Sequence, residues 1–337
     1  MSTNASIKFS TGLPNCREGR LNPIGAVGVG WLTDVTVAAE QLGYHSIWMN
    51  EFLQTDPGVK ARYDTPPTYY DILVTASHLA ARTERIRFVT STIVLPHHHP
   101  VLLNRQVATL DVLSGGRFTL GIGLGGSADE YRRMRGELGR ANRGEMLDEY
   151  LAALRLLWTE PSATYHGTYV WFDGVEAFPK PVQAPLPIFM AGKAEGVFRR
   201  IARLGQGWID TFMLPDEIAA RVADLRRYTV EARGGEEPIE IARQFYLSLA
   251  PSEELAKGNH EASLPGARGP ASFGPPNSEM VLIGTPDHIA ARLRDYVAAG
   301  VTEICAIFFS PTAASAIEQM TLFRDEVIPA VQAVTHA

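Results

Sequence analysis

The chain has 337 residues, 45% of them hydrophobic and 20% charged, with a formal net charge of −6, the make-up of a packed globular protein whose core is large enough to hold a cofactor. Without a basic run, nucleic acid is excluded as a partner; no apolar run reaches the roughly 18 residues that cross a bilayer, and the opening residues lack the charged-then-apolar build of a leader peptide. The two cysteines, Cys16 and Cys305, stand far apart without CxxC spacing, which argues against a metal site or disulfide framework and for a reducing cytoplasm.

In chain order, short apolar runs alternate with stretches of helical period. The first half predicts strands over 7–12, 45–50, 86–94 and 118–123, with helices over 31–43, 70–82, 100–113 and 142–158 between and after them. The second half predicts strands over 187–191, 207–212, 242–250 and 302–309, with helices over 195–205, 215–232, 286–298 and 314–334. Thr285-Pro286-Asp287-His288 supplies a cap residue and a first-turn proline for one helix. Gly43 and Gly300 fall just past helix ends, where the left-handed conformation suits glycine. Eight alternating units predict a closed (β/α)8 TIM barrel forming a single domain over 1–337, with insertions after strands four and seven. No GxGxxG follows the first strand, so the dinucleotide-binding fingerprint is missing. The insertion over 159–185 lengthens the connection after strand four. The one over 251–280 reads as a polar, Pro/Gly-rich loop, either a functional lid or a disordered segment.

In such a barrel the reactive groups sit at the C-terminal ends of strands. Strand two ends in Asn50-Glu51-Phe52, where Glu51 is either a proton-handling acid or one half of a rim ion pair. Strand three carries Ser91-Thr92 and then His97-His98-His99. Three adjacent histidines point in different directions and cannot close one coordination sphere, so no metal is expected there. Strand four ends in Gly121-Ile122-Gly123-Leu124-Gly125-Gly126. Bare backbone there either lets a flat ligand lie close or serves a tight turn. Strand five leads into Gly192-Lys193-Ala194-Glu195-Gly196 at a helix start, either a phosphate cradle or an exposed capping turn.

The residues Phe88-Val89-Thr90-Ser91-Thr92-Ile93-Val94-Leu95-Pro96, with His99-Pro100, resemble the third-strand region of the bacterial luciferase-like monooxygenases. So do Ala108-Thr109-Leu110-Asp111-Val112-Leu113-Ser114-Gly115-Gly116-Arg117 and Leu120-Gly121-Ile122-Gly123. Arg143-Gly144-Glu145, Asp148-Glu149-Tyr150, Leu157-Trp158, Tyr165-His166-Gly167, Pro179-Lys180-Pro181 and Arg203-Leu204-Gly205-Gln206-Gly207-Trp208 continue the likeness. It covers roughly 7–212, and Gly284-Thr285-Pro286 and the last strand are in keeping.

This resemblance implies a TIM barrel binding FMN or the deazaflavin F420 at its mouth, with a lean toward F420 from the match over 143–180. It implies a hydride transfer to, or oxygenation of, a small organic substrate, with reduced cofactor arriving from a separate reductase, in a homodimer. The family's non-prolyl cis peptide maps onto Ser91-Thr92 as a bulge backing the ring. Gly123, Leu124 and Gly125 join it in the ring site, and Gly192, Lys193, Ala194 and Gly196 map onto the phosphate segment. Two departures matter: Glu51 is followed by Phe52 where many relatives have histidine, and Gly126 stands where some deazaflavin enzymes have glutamate. Acid–base chemistry then falls to Glu51, His97, His98 or a group outside the motifs. A flavin-binding protein without turnover is the alternative these losses encourage. A carboxylate-pair hydrolase lacks a second securely placed acid.

Overall fold

A computed structural model of the chain describes residues 7–125, 128–210, 212–266 and 281–333. Its eight barrel strands are β1 (Lys8–Gly12), β2 (Ser46–Met49), β3 (Arg87–Thr90), β4 (Phe118–Gly123), β5 (Ile188–Ala191), β6 (Gly207–Ile209), β7 (Glu240–Leu249) and β8 (Glu303–Phe308). Each runs parallel to the next, and β8 returns to β1 in the register Lys8↔Glu303 to Thr11↔Ala306, so the ring closes. The predicted TIM-barrel architecture is the one observed.

Both faces of these strands are covered, which is why they read as continuous apolar runs. Alternate residues divide between two cores. Trp48, Val89, Phe189, Ala242, Tyr246, Cys305 and Ile307 belong to one buried cluster. Ile47, Met49, Phe88, Phe118, Ile122, Trp208, Phe245 and Ile304 belong to a second, together with helix residues such as Leu79, Leu103 and Leu154. At the N-terminal end of the ring the buried Glu303 carboxylate accepts hydrogen bonds from Ser10 (2.5 Å), Ser46 (2.9 Å) and Trp48 Nε1 (3.0 Å). A buried charge needs such donors to be tolerable.

Helices Pro100–Leu113 and Pro286–Ala298 have the expected bounds. Gly43 and Gly300 take φ of +80° and +105°, as their positions after helix ends require. Thr285 does occupy the cap position of its helix, but its side chain makes no capping bond. The expected helix over 314–334 is broken into Ala313–Leu322, a π turn at Phe323–Val327, and Ile328–Gln332. Pro329 has no N–H for the regular ladder, and one widened turn absorbs the fault.

The expected strand over 86–94 is interrupted. β3 stops at Thr90, the Ser91–Thr92 peptide is cis, and Ile93–Val94 resumes the pairing with β4. The insertion after β4 holds an antiparallel hairpin of Ala163–His166 and Trp171–Val175. The stretch after β7 is corrected as well. Residues Glu253–Ala262 form a helix, because Ser252 accepts the Leu255 N–H and Glu253 and Glu254 occupy the first turn; residues 267–280 lie outside the described residues. Val281–Gly284 then pairs with β7 at Tyr246–Leu249, beyond the Glu240–Ala242 stretch that pairs with β6. Among the described residues no helix is long and apolar enough to cross a membrane.

Candidate functional site

The seam between β3 and β4 shows what the strand-four glycines are for. A Cβ on Gly121 would lie 1.7 Å from the Thr90 carbonyl oxygen, and one on Gly123 would lie 2.8 Å from Thr92 Oγ1. One on Gly125 would meet Val94 Cγ1 at 2.9 Å, at a φ of +74° that already favours glycine. The bare backbone therefore seats the kinked third strand, position by position. Thr90 locks the seam by donating to the Gly121 carbonyl and accepting its N–H, both at 2.8 Å. Gly126 lies outside the described residues.

The bulge at Ser91-Thr92 is also gripped from below. The Ser91 carbonyl accepts from Asn50 Nδ2 at 2.9 Å, and its hydroxyl accepts from the buried Gln244 of β7. Asn50 in turn accepts from Arg17, and its N–H donates to Asn15. Against this bulge opens a cleft of about 220 Å³, lined by Asn50 to Leu53, Ser91, Thr92, Val94, His97, Leu124, Gly125, Glu130 and Arg143. It lies at the C-terminal ends of β2, β3 and β4.

Glu51 is the acid of this cleft, with a side chain only 4% exposed. One carboxylate oxygen accepts the Val94 N–H at 2.8 Å, and the other faces His98 Nε2 at 2.8 Å. A carboxylate can only accept, so the imidazole donates from Nε2. His98 thus stands behind Glu51 and does not line the cleft itself. His97 does line it, with its ring 5.1 Å from that of Tyr131. Burial holds the His97 imidazole below its ordinary value; nearby Glu51 opposes this, while His98, Arg135 and Arg143 add to it. His99 does a third job, accepting the Val101 N–H at the start of its helix. The three imidazoles face three different partners, and no group of three metal-ligating side chains occurs among the described residues.

The segment over 192–196 follows β5 on the same rim but does not reach the cleft. Gly192 takes a φ of +140°, where a Cβ would meet Val197 at 2.9 Å, and its carbonyl accepts from Trp208 Nε1. Lys193, Ala194 and Gly196 are exposed, and helix Glu195–Leu204 starts at Ala194 without a side-chain cap. Glu195 turns to Arg199 and Tyr228.

Six cleft residues escaped the site reading of the sequence: Asn50, Phe52, Leu53, Val94, Glu130 and Arg143. Arg143 Nη1 donates to the carbonyls of Leu124 (2.8 Å) and Gly125 (3.1 Å), pinning the loop after β4. Its place in the Arg143-Gly144-Glu145 motif was the available signal. Glu130 comes from helix Ala128–Arg135, a short polar element without a core pattern. Phe52 and Leu53 follow Glu51 directly in the lining.

The model of the luciferase-like monooxygenase family matches residues 8–278. The chain belongs to that family. The first curated relatives, uncharacterised proteins of Mycobacterium tuberculosis and Mycobacterium bovis, are 42% identical over 142 residues, 42% of this chain and 50% of theirs. The chain therefore spans about half the length of those relatives. An FMNH2-dependent dimethylsulfone monooxygenase of Pseudomonas putida is 25% identical, covering 97% of this chain and 95% of its own. An F420-dependent glucose-6-phosphate dehydrogenase of Kineococcus radiotolerans is also 25% identical, covering 89% and 92%. The crystal structure of a monooxygenase from Streptomyces bottropensis superposes with a TM-score of 0.73 at 23% identity, over 96% of this chain and 99% of that one. It speaks for the shared fold.

Proposed function

We propose that this luciferase-like barrel is an oxidoreductase that uses reduced FMN or F420 to transfer hydride to, or oxygenate, a small organic substrate. The observation that carries the reading is the cleft itself, where a backbone bulge at Ser91-Thr92, the loop residues Leu124 and Gly125 and one buried acid, Glu51, converge. Side-chain-poor backbone on one side suits a planar ring, so the donor set fits the group. Ligand clefts and cavities run to roughly 300–1,000 Å³; at about 220 Å³ this cleft would take only the ring of a cofactor, with its tail outside. Ser91, Thr92, Gly123, Leu124 and Gly125 would hold the ring, and Gly192, Lys193, Ala194 and Gly196 a phosphate on the rim. Once bound, such a cofactor supplies the two-electron redox chemistry.

The protein's own share is proton handling and exclusion of water. Glu51 and His98 form a pair through which a proton passes between Oε1 and Nε2. His97, whose burial lowers its affinity for a proton, offers the cleft a second exchangeable proton site. Phe52 and Leu53 add apolar surface to the lining of the cleft.

The test is an absorbance titration of purified protein with oxidised and reduced FMN and F420 separately. Micromolar affinity for one of them is the expected result and decides the cofactor; affinity for neither overturns the reading. In the same titration Glu51→Gln is expected to bind as the parent does, and with an identified substrate to lose roughly 10²–10⁴ in turnover.

A further inference from the structure

We propose that a second cavity on the same face of the barrel binds an oxyanion, the carboxylate or phosphate of an acidic small molecule. That this molecule is the substrate rests on the oxidoreductase reading above; that an oxyanion binds does not. The cavity measures about 330 Å³ and is walled by Ile24, Arg62 to Thr65, Pro265 and Gly266. These come from the loops that follow β1, β2 and β7, so the cavity opens where barrel enzymes place their chemistry.

Arg62 carries the argument. It ends the short helix Pro57–Arg62 and is 5% exposed. Among the described residues, neither its Nε nor its Nη1 has a hydrogen-bond partner, and the Tyr63 hydroxyl beside it interacts with the guanidinium itself. The Tyr63 ring lies 5.5 Å from the guanidinium carbon. That ring offers the charge a π surface but no lone pair for its in-plane N–H groups. Asp64, also in the lining, accepts from neither of these nitrogens. A buried guanidinium left with open donors is costly, and an oxyanion seated against it would relieve that cost.

The surroundings favour the same occupant. An adjoining cavity of about 480 Å³ shares Tyr63, Asp64 and Thr65 and adds Lys60 and Arg133. The described residues that line the two cavities include three cations, Lys60, Arg62 and Arg133, and one acid, Asp64. Arg133 lies on the same helix as Glu130 of the redox cleft. The chain over 50–66 lines the cleft with its first residues and both outer cavities with the rest. A substrate with its reacting carbon at the cleft and an acidic end at Arg62 would follow this loop. The class implied is an organic acid or phosphate ester.

The test is calorimetric titration of the cofactor-free protein at low ionic strength, with inorganic phosphate and with succinate as probes. Saturable binding is expected in the parent and in Lys193→Ala, which removes the other anion-binding candidate. Arg62→Gln is expected to weaken it about tenfold or more, a change of roughly 1.4 kcal/mol, and Arg62→Lys to restore part of it. Tyr63→Phe, which leaves the charge in place, is expected to weaken it less. Absence of saturable binding in the parent, loss in Lys193→Ala, or undiminished binding in a folded Arg62→Gln or Arg62→Lys overturns the proposal. Arg62-dependent binding in a protein that takes neither FMN nor F420 would uphold the anion site and discard the redox reading.

Discussion

What a glycine is worth depends on what its missing Cβ would strike. At Gly121 the obstacle is the Thr90 carbonyl oxygen, 1.7 Å away and fixed in a strand. At Gly258, inside helix Glu253–Ala262 and exposed, nothing lies within 4 Å. The same substitution should therefore have opposite signs. Gly121→Ala is expected to cost roughly 3 kcal/mol or more, at or beyond the upper end of overpacking penalties. Gly258→Ala should gain roughly 0.5–1 kcal/mol by removing backbone freedom from the unfolded chain. Urea unfolding midpoints of the two variants against the parent decide this. At this scale the sequence was readable only in part. Glu51 could be found because it ends a strand, whereas its partner His98 is 47 positions away and is brought in by the bulge. Arg62 gave no sign at all, since an arginine in a polar loop looks solvated until the burial is known.

Among the elements, β6 is the thinnest stave of the barrel, three residues joined to β5 and β7. Just past its end Asp210 pairs with Arg243 of β7, both side chains wholly buried. Burial pushes the Asp210 carboxyl up, Arg243 pulls it down, and the Met213 N–H adds to that pull. Arg243 also donates to the Tyr296 hydroxyl at 3.1 Å, tying a helix to the pair. Removing one member strands the other charge, so Asp210→Ala is expected to lose roughly 3–5 kcal/mol. Replacing both, as Asp210→Leu with Arg243→Met, should cost less than that single change. Denaturant unfolding of the two variants separates the outcomes; equal losses would mean the pair is not the fastening. Long elements with clear punctuation were legible, such as Pro100–Leu113 and Pro286–Ala298, each opened by proline. Helix Pro57–Arg62 and the strand Val281–Gly284 were not, being too short to show a period. The break in β3 could not be seen in the apolar run either. Only the likeness to the family placed it at Ser91-Thr92.

For the molecule as a whole, burial of titratable groups sets the pH range of stability. His45, His97 and His260 are each held below the ordinary 6.5, in every case first by burial. Below 6.5 the unfolded chain takes up protons at these sites that the folded one refuses, so their contribution is intact above that pH and is lost as pH falls through the folded values. Burial also pushes the thiol of Cys16 from 9.0 up to about 12, and raises that of Cys305. Here the folded state keeps protons that the unfolded chain gives up, so stability is full below 9.0 and declines as pH climbs. Thermal unfolding followed across pH should show a plateau between about 6.5 and 9 with a fall on either side. A melting temperature that keeps rising through pH 10 would contradict this picture. At this scale the architecture was the most legible part, because eight alternating apolar units leave few ways to close a parallel sheet.

The interlock between the third and fourth strands also limits how such an enzyme can change its diet. One wall of the mouth is written in main-chain atoms, and any methyl added to it collides with its neighbour. New substrate preferences must therefore be recruited from the facing bank, at Phe52, Leu53, His97, Glu130 and Arg143. A library randomised at those five positions should yield folded, altered catalysts, while one spread over 121–125 should return mostly insoluble protein.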